Sequence, residues 1–189
     1  VHHGNGTEAI FYNRNDVLTI SIHQERNYPV DTGMETHQGK QEGLGYNVNL
    51  PLPAGSGHQA YLNLFDRVIA PIVSNYSPDI IIVACGFDAA MIDPLSSMLC
   101  SAETFRLLTR KAQKLADEQC NGKLALVHEG GYSEVYVPFC GHAVLEELSG
   151  SQIIAKDPYE ELFNLRQPGS RFENMINEVL TDWEELFLK

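Results

Sequence analysis

Ile80-Ile81-Ile82-Val83-Ala84-Cys85-Gly86-Phe87-Asp88 is the stretch on which the fold turns. Its unbroken apolar, β-branched run predicts a strand covered on both faces, as strands of a parallel sheet are. Val17–Ile22 and Leu124–Val127 have the same character and predict two more such strands. Helical patterns lie between and after them. In His58–Ser74, Phe65, Val68, Ile69, Ile72 and Val73 share one face; in Glu103–Asp117, Phe105, Leu108, Ala112 and Leu115 do, with Ser101 placed to cap the start. The last helix is expected to open on a capping box, Ser170 with Glu173. Its apolar stripe would be Phe172, Met175, Ile176, Val179, Trp183 and Leu186. Strands alternating with helices predict an α/β fold with a parallel sheet and right-handed crossovers. Of the two long Gly- and Pro-bearing connections, Gln24–Gly57 is expected to overhang a site. Ser149–Gly169 is expected to be a surface link with a short helix near Tyr159–Leu165.

Open α/β sheets bind ligands at the carboxyl ends of their strands. Gly86-Phe87-Asp88 follows one predicted strand, and His128-Glu129-Gly130-Gly131-Tyr132 follows another. Val1-His2-His3-Gly4-Asn5-Gly6-Thr7-Glu8 reads as the exit of a strand and the opening of a helix, so the strand itself is expected upstream. Imidazole nitrogen with carboxylate oxygen suits Zn²⁺ or another divalent first-row metal. Each signal has a plainer reading: a structural histidine pair, a turn or cap aspartate, a packing tyrosine. Gly130 and Gly131 serve either as turn formers or as sites where backbone approaches a substrate closely.

The chain carries 13 Lys+Arg against 25 Asp+Glu, a formal net charge of -12. Such a surface repels phosphate, which argues against direct nucleic-acid binding and suits a cationic partner, or simply solubility. No run of about 18 apolar residues exists to span a membrane, and neither a signal peptide nor a repeat is expected. Cys85, Cys100, Cys120 and Cys140 are unpaired by spacing and predict a reducing, cytoplasmic-type compartment.

Taken together, Val-His-His-Gly-Asn-Gly-Thr at 1–7, Ala-Cys-Gly-Phe-Asp-Ala at 84–89, Asp-Pro-Leu at 93–95 and Glu-Gly-Gly-Tyr at 129–132 resemble the histone deacetylase superfamily. The Glu129–Tyr132 form and Asn5 after His3-Gly4 look like its class II branch. The stretch 132–150 is similar to bacterial class II-like enzymes, of the amidohydrolase and acetylpolyamine amidohydrolase type. The resemblance covers essentially residues 1 to 150. It implies an arginase/deacetylase-type parallel sheet flanked by helices, a three-layer α/β/α arrangement. Residues 1–189 are then expected to be the C-terminal part of a single deacetylase domain.

The resemblance also implies roles. The family's zinc is held by an Asp-x-His pair and a later Asp; His2 and Asp88 match the histidine and the later aspartate, and the first aspartate would stand upstream. So would the paired histidines that move protons. Tyr132 matches the tyrosine that polarises the substrate carbonyl. Tyr28, where many members carry Phe, matches a wall of the acyl-lysine tunnel, and Pro94 and Leu95 match further lining positions. A monovalent cation, expected to be K⁺, would be held by the His2 carbonyl, the Ser21 hydroxyl and the Ile22 carbonyl; a second set is the carbonyls of Phe11, Arg14 and Val17. A strand-end hydroxyl bonded to backbone is the plainer reading of Ser21. The implied activity is hydrolysis of acetyl-lysine or a small acetylated amine. Alternatives are an inactive acetyl-lysine binder or complex subunit and a manganese arginase-like hydrolase. Self-association is compatible with all three.

Overall fold

The computed structural model describes residues 1–188, which fall into two compact units, Val1–Ala54 and Gly55–Leu188.

In the first unit, helix α1 (Asn5–Phe11) precedes strand β1 (Thr19–Gln24); a short 3₁₀ turn (Gln41–Gly43) leads into strand β2 (Asn47–Leu52). The strands run parallel, with Thr19 opposite Asn47 and Gln24 opposite Leu52. β1 therefore starts and ends two residues later than the apolar run suggested, because the ladder to β2 sets its limits. β2 lies inside the connection expected to be an overhanging loop. Its Asn47-Val48-Asn49-Leu50-Pro51-Leu52 sequence reads as turn-rich, but it has strand period. Val48, Leu50 and Leu52 are buried on one face, and Asn47 and Asn49 are buried on the other with their amides bonded.

The second unit holds helix α2 (His58–Leu64), a π-helical segment (Phe65–Ile69), helix α3 (Ala70–Tyr76), strand β3 (Ile81–Cys85), helix α4 (Ala102–Cys120), strand β4 (Leu124–His128) and helices α5 (Val137–Ser149), α6 (Glu160–Leu165) and α7 (Ser170–Phe187). The predicted helix over 58–74 is thus interrupted by a π turn directly before Pro71, which has no N–H to continue the α ladder. β3 and β4 pair in parallel, Ile81 opposite Leu124 and Cys85 opposite His128. The described strands make two separate two-stranded ladders, β1–β2 and β3–β4, where the sequence suggested one three-stranded sheet. Coverage on both faces also fails for the second pair: Ile82 is 66% and Val127 51% exposed, with Ala84 and Ala125 exposed beside them.

Helix starts follow local chemistry with one correction. Ser101 precedes α4, and its N–H donates to Thr104 Oγ1 at 3.0 Å, closing a capping box. At α7 the cap is Gly169; Ser170 is already helical and makes no capping bond, so the Ser170–Glu173 box does not form. Along α7, Ile176, Leu180 and Trp183 are buried, while Met175 and Leu186 at the edges of the predicted stripe are exposed. α7 is fastened by Glu184, whose carboxylate accepts both Arg67 Nε and Nη2 at 2.7 Å. The link 149–169 is likewise anchored at both ends. Tyr136, fully buried, donates to Asp157 and accepts from the Ala102 N–H; Gln167 accepts from the His58 N–H and donates to the Leu99 carbonyl.

Candidate active site

The Asp88 region is built by two loops at the carboxyl ends of adjacent parallel strands. The Phe87 N–H donates to the Gly130 carbonyl at 2.7 Å, and the Glu129 N–H donates to the Cys85 carbonyl at 3.2 Å, so the loop after β3 is bonded to the loop after β4. Asp88 is buried to 2% exposure. Its carboxylate lies in a cradle only glycine permits: a Cβ at Gly130 would stand 2.2 Å from Oδ2, and one at Gly86 2.9 Å from Oδ1. Gly131 has φ +136°, and a Cβ there would press on Val137 and Phe87. These glycines bring the backbone of Glu129–Tyr132 against the carboxylate and deliver Tyr132, half-exposed, beside it along the chain.

A residue not singled out from sequence fixes that tyrosine. Buried Asp93 accepts the Tyr132 N–H at 2.7 Å through Oδ2 and the Leu95 N–H at 2.9 Å through Oδ1. One carboxylate thus sets both Tyr132 and the Pro94–Leu95 turn, whose side chains are exposed. Asp-Pro-Leu drew attention to Pro94 and Leu95; the aspartate's role lay in a contact 39 residues away in sequence.

In the first unit, His2 lies where the chain enters α1. The Val1 carbonyl accepts from the Gln24 N–H at 2.9 Å and Ser21 Oγ accepts from the Gly4 N–H at 3.1 Å, so residues 1–4 run along the end of β1. Ser21 Oγ also meets His23 Nδ1 at 3.0 Å. His23 Nε2–H donates to the Gly33 carbonyl at 2.9 Å. Burial pushes the His23 pKa down to about 4, so this imidazole is neutral and accepts the Ser21 proton on Nδ1. The Phe11 carbonyl accepts from the Arg14 N–H, and the Arg14 guanidinium is engaged with Asp16. Val17 and Ile22 are half-buried, Ile22 within β1.

His3 is 5% exposed and held on three sides. Its N–H donates to the Tyr28 carbonyl at 3.1 Å, Nδ1 lies 3.0 Å from Thr32 Oγ1, and Nε2 lies 3.3 Å from Glu8 Oε2. The same Glu8 oxygen accepts from Asn47 at 2.8 Å and Asn49 at 2.7 Å. Burial alone would raise the Glu8 pKa; the bonds from Asn49 and Asn47 and the nearby His3 outweigh it and hold the carboxyl below its ordinary value. Among the described residues no three His, Cys, Asp or Glu side chains gather as a metal-ligand group, and no helix is long and apolar enough to cross a membrane.

Parallel strands flanked by helices, with a glycine-cradled aspartate and an aspartate-anchored tyrosine after the strand ends, define an α/β protein. Comparison with known proteins agrees with that fold. Residues 1–148 match the histone deacetylase domain. The chain is 43% identical over 182 residues to a histone deacetylase-like amidohydrolase of Pseudomonas aeruginosa, covering 96% of this chain and 48% of that protein. It is 36% identical over 180 residues to a probable deacetylase of Archaeoglobus fulgidus, covering 95% and 46%. Among solved structures, the HDA15 HD domain superposes with a TM-score of 0.76 at 32% identity, over 99% of this chain and 49% of that one. The chain belongs to the histone deacetylase family, and its fold is the α/β fold of that family's domains. It spans about half the length of the curated relatives it matches.

Proposed function

We propose that the complete protein is a zinc-dependent amide hydrolase that removes acetyl groups from acetyl-lysine or a small acetylated amine, and that residues 1–189 supply part of its single catalytic domain. The observation that carries this reading is the bonded pair of loops after β3 and β4, which packs buried Asp88 against Gly130 and places Tyr132 two residues further on. Support for further partner structure comes from the β3–β4 pair. A parallel pair is ordinarily covered on both faces, yet Ile82 and Val127 face solvent.

By resemblance, His2 and Asp88 would each supply one zinc ligand, and an imidazole and a carboxylate are donor types that suit the metal. Bound there, zinc would supply Lewis acidity and a water of lowered pKa. Tyr132 donates its phenolic hydrogen bond to the oxygen that gains charge as the amide carbonyl is attacked. Asp93 holds the Tyr132 backbone in place for that donation. The resemblance assigns Tyr28, and separately Pro94 and Leu95, to lining positions of the acyl-lysine passage. Proton transfer to the leaving amine falls to histidines outside this chain. By resemblance, a monovalent cation such as K⁺ would be held by the carbonyls of His2 and Ile22 with Ser21 Oγ, and a second by the carbonyls of Phe11, Arg14 and Val17.

The complete protein, purified with metal analysis and assayed on an acetyl-lysine peptide and on an acetylated polyamine, tests the reading. Turnover with one zinc per chain is expected. Tight binding of the acetylated peptide without turnover would replace it with that of an acetyl-lysine binder. Residues 1–189 alone are expected to be inactive even with added zinc, since two protein ligands hold the metal poorly.

A further inference from the structure

We propose that His3 is a positioning residue for the passage wall. It clamps the Tyr28–Gly33 segment, and so sets where the Tyr28 ring stands. This rests on Tyr28 lining the acyl-lysine passage.

The clamp is a continuous set of bonds within one compact unit. The His3 N–H holds the carbonyl of Tyr28 itself, and Thr32 Oγ1 donates to the Pro29 carbonyl at 2.8 Å. A hydroxyl has one proton. With that proton committed to Pro29, His3 Nδ1–H is the donor to Thr32 Oγ1 across 3.0 Å. His3 thereby bonds both ends of the Tyr28–Thr32 turn, its backbone N–H at the Tyr28 carbonyl and its imidazole at Thr32. Its far edge is fixed in turn. Nε2 stands 3.3 Å from Glu8 Oε2, and Glu8 is held to strand β2 by the Asn47 and Asn49 amides. The turn that carries an exposed aromatic ring is therefore referred, through His3 and Glu8, to the buried face of a strand.

Packing makes the arrangement specific to an imidazole. The His3 ring lies against the His23 ring, centroids 4.9 Å apart. Gly33 has φ +74°, and a Cβ there would come within 2.8 Å of His3 Cγ and 2.4 Å of His23 Nε2. The turn closes over the two rings with no room for a side chain. Tyr28 is 66% exposed, so its ring gains little from burial and depends on the backbone beneath it for its position.

The complete enzyme tests this with His3→Gln and Thr32→Val, singly and combined. Thr32→Val keeps shape and removes only the hydroxyl, which guards against a variant that merely fails to fold. Each single change is expected to speed amide exchange of residues 28–33 about tenfold, and to raise KM for an acetyl-lysine peptide about tenfold with kcat and zinc content little changed. The double variant should do no more than either alone, because both cut one chain of bonds. Exchange at wild-type rates in Thr32→Val overturns the clamp. Faster exchange with an unchanged KM overturns the positioning role. A wild-type enzyme without turnover would refute the deacetylase reading instead, and peptide affinity would then replace KM as the readout.

Discussion

The rings of His2 and Tyr28 stand perpendicular, their centroids 6.0 Å apart at 88°. A proposed zinc ligand and a proposed wall of the acyl passage are therefore edge-to-face neighbours. Tyr28→Ala should loosen His2 as well as widen the passage, whereas Tyr28→Phe should preserve the packing. In the complete protein Tyr28→Ala is expected to lower zinc affinity about tenfold and Tyr28→Phe to leave it unchanged. Equal zinc affinity in all three proteins, by competition with a chelator, would separate the two residues functionally.

Gly130→Ala reaches Asp88 without touching it in sequence. The new Cβ would stand 2.2 Å from Asp88 Oδ2, so carboxylate or loop has to move. Zinc affinity is expected to fall by about 10–100-fold, and Asp88→Ala should abolish stoichiometric binding. Elemental analysis of the purified variants decides it; full zinc occupancy in Asp88→Ala would remove Asp88 from the ligand set.

Tyr132→Phe and Asp93→Asn distinguish donor from support. Phe cannot donate to the oxyanion, and kcat should fall by about 10²–10³ with zinc retained. Asn at 93 turns one of two accepting oxygens into an NH₂ that faces a backbone N–H. It should cost about tenfold in kcat by displacing Tyr132. An Asp93→Asn enzyme as active as wild type would show that the Tyr132 backbone needs no such anchor.

Ser21→Ala bears on the cation site. The hydroxyl already bonds Gly4 and His23, so its loss should destabilise the native state and remove any stabilisation by added potassium. Thermal melts with and without KCl read this directly. A potassium response equal to that of the wild type would leave Ser21 as a structural hydroxyl.

Glu146, 4% exposed, pairs with Arg106 and accepts the Ala155 N–H at 3.0 Å. Burial alone would raise its pKa, but the bonds from Arg106 and Ala155 hold it below its ordinary 4.5. A depressed carboxylate stabilises the fold above its unfolded pKa and loses that contribution as pH falls through the folded value. Glu146→Ala leaves Arg106 half-paired and is expected to cost about 2–4 kcal/mol at pH 7, a melting shift on the order of 10 °C. The gap between wild type and Glu146→Gln should narrow as pH drops below about 4.5. A gap that stays constant to pH 3 would mean the pair adds nothing electrostatic.

The sequence by itself determined the strand-and-helix alternation, the strands at Ile81–Cys85 and Leu124–His128, the capping box at Ser101 and the family. These follow from short-range patterns: apolar period, cap chemistry and motifs whose residues are contiguous. It placed His2, Asp88 and Tyr132 at the start of the chain and after two strands, because strand ends are legible wherever an apolar run stops. Only the tertiary structure decided that Asn47–Leu52 is a strand. Its asparagine NH₂ groups donate to Glu8 and to the 34–37 backbone, partners that no local pattern announces. The same holds for Asp93 under Tyr132, Glu146 under Arg106, and His3 beneath the Tyr28 turn. A buried polar residue has to find its hydrogen-bond partner wherever the fold brings one, and that choice is made by long-range contact rather than by neighbours along the chain.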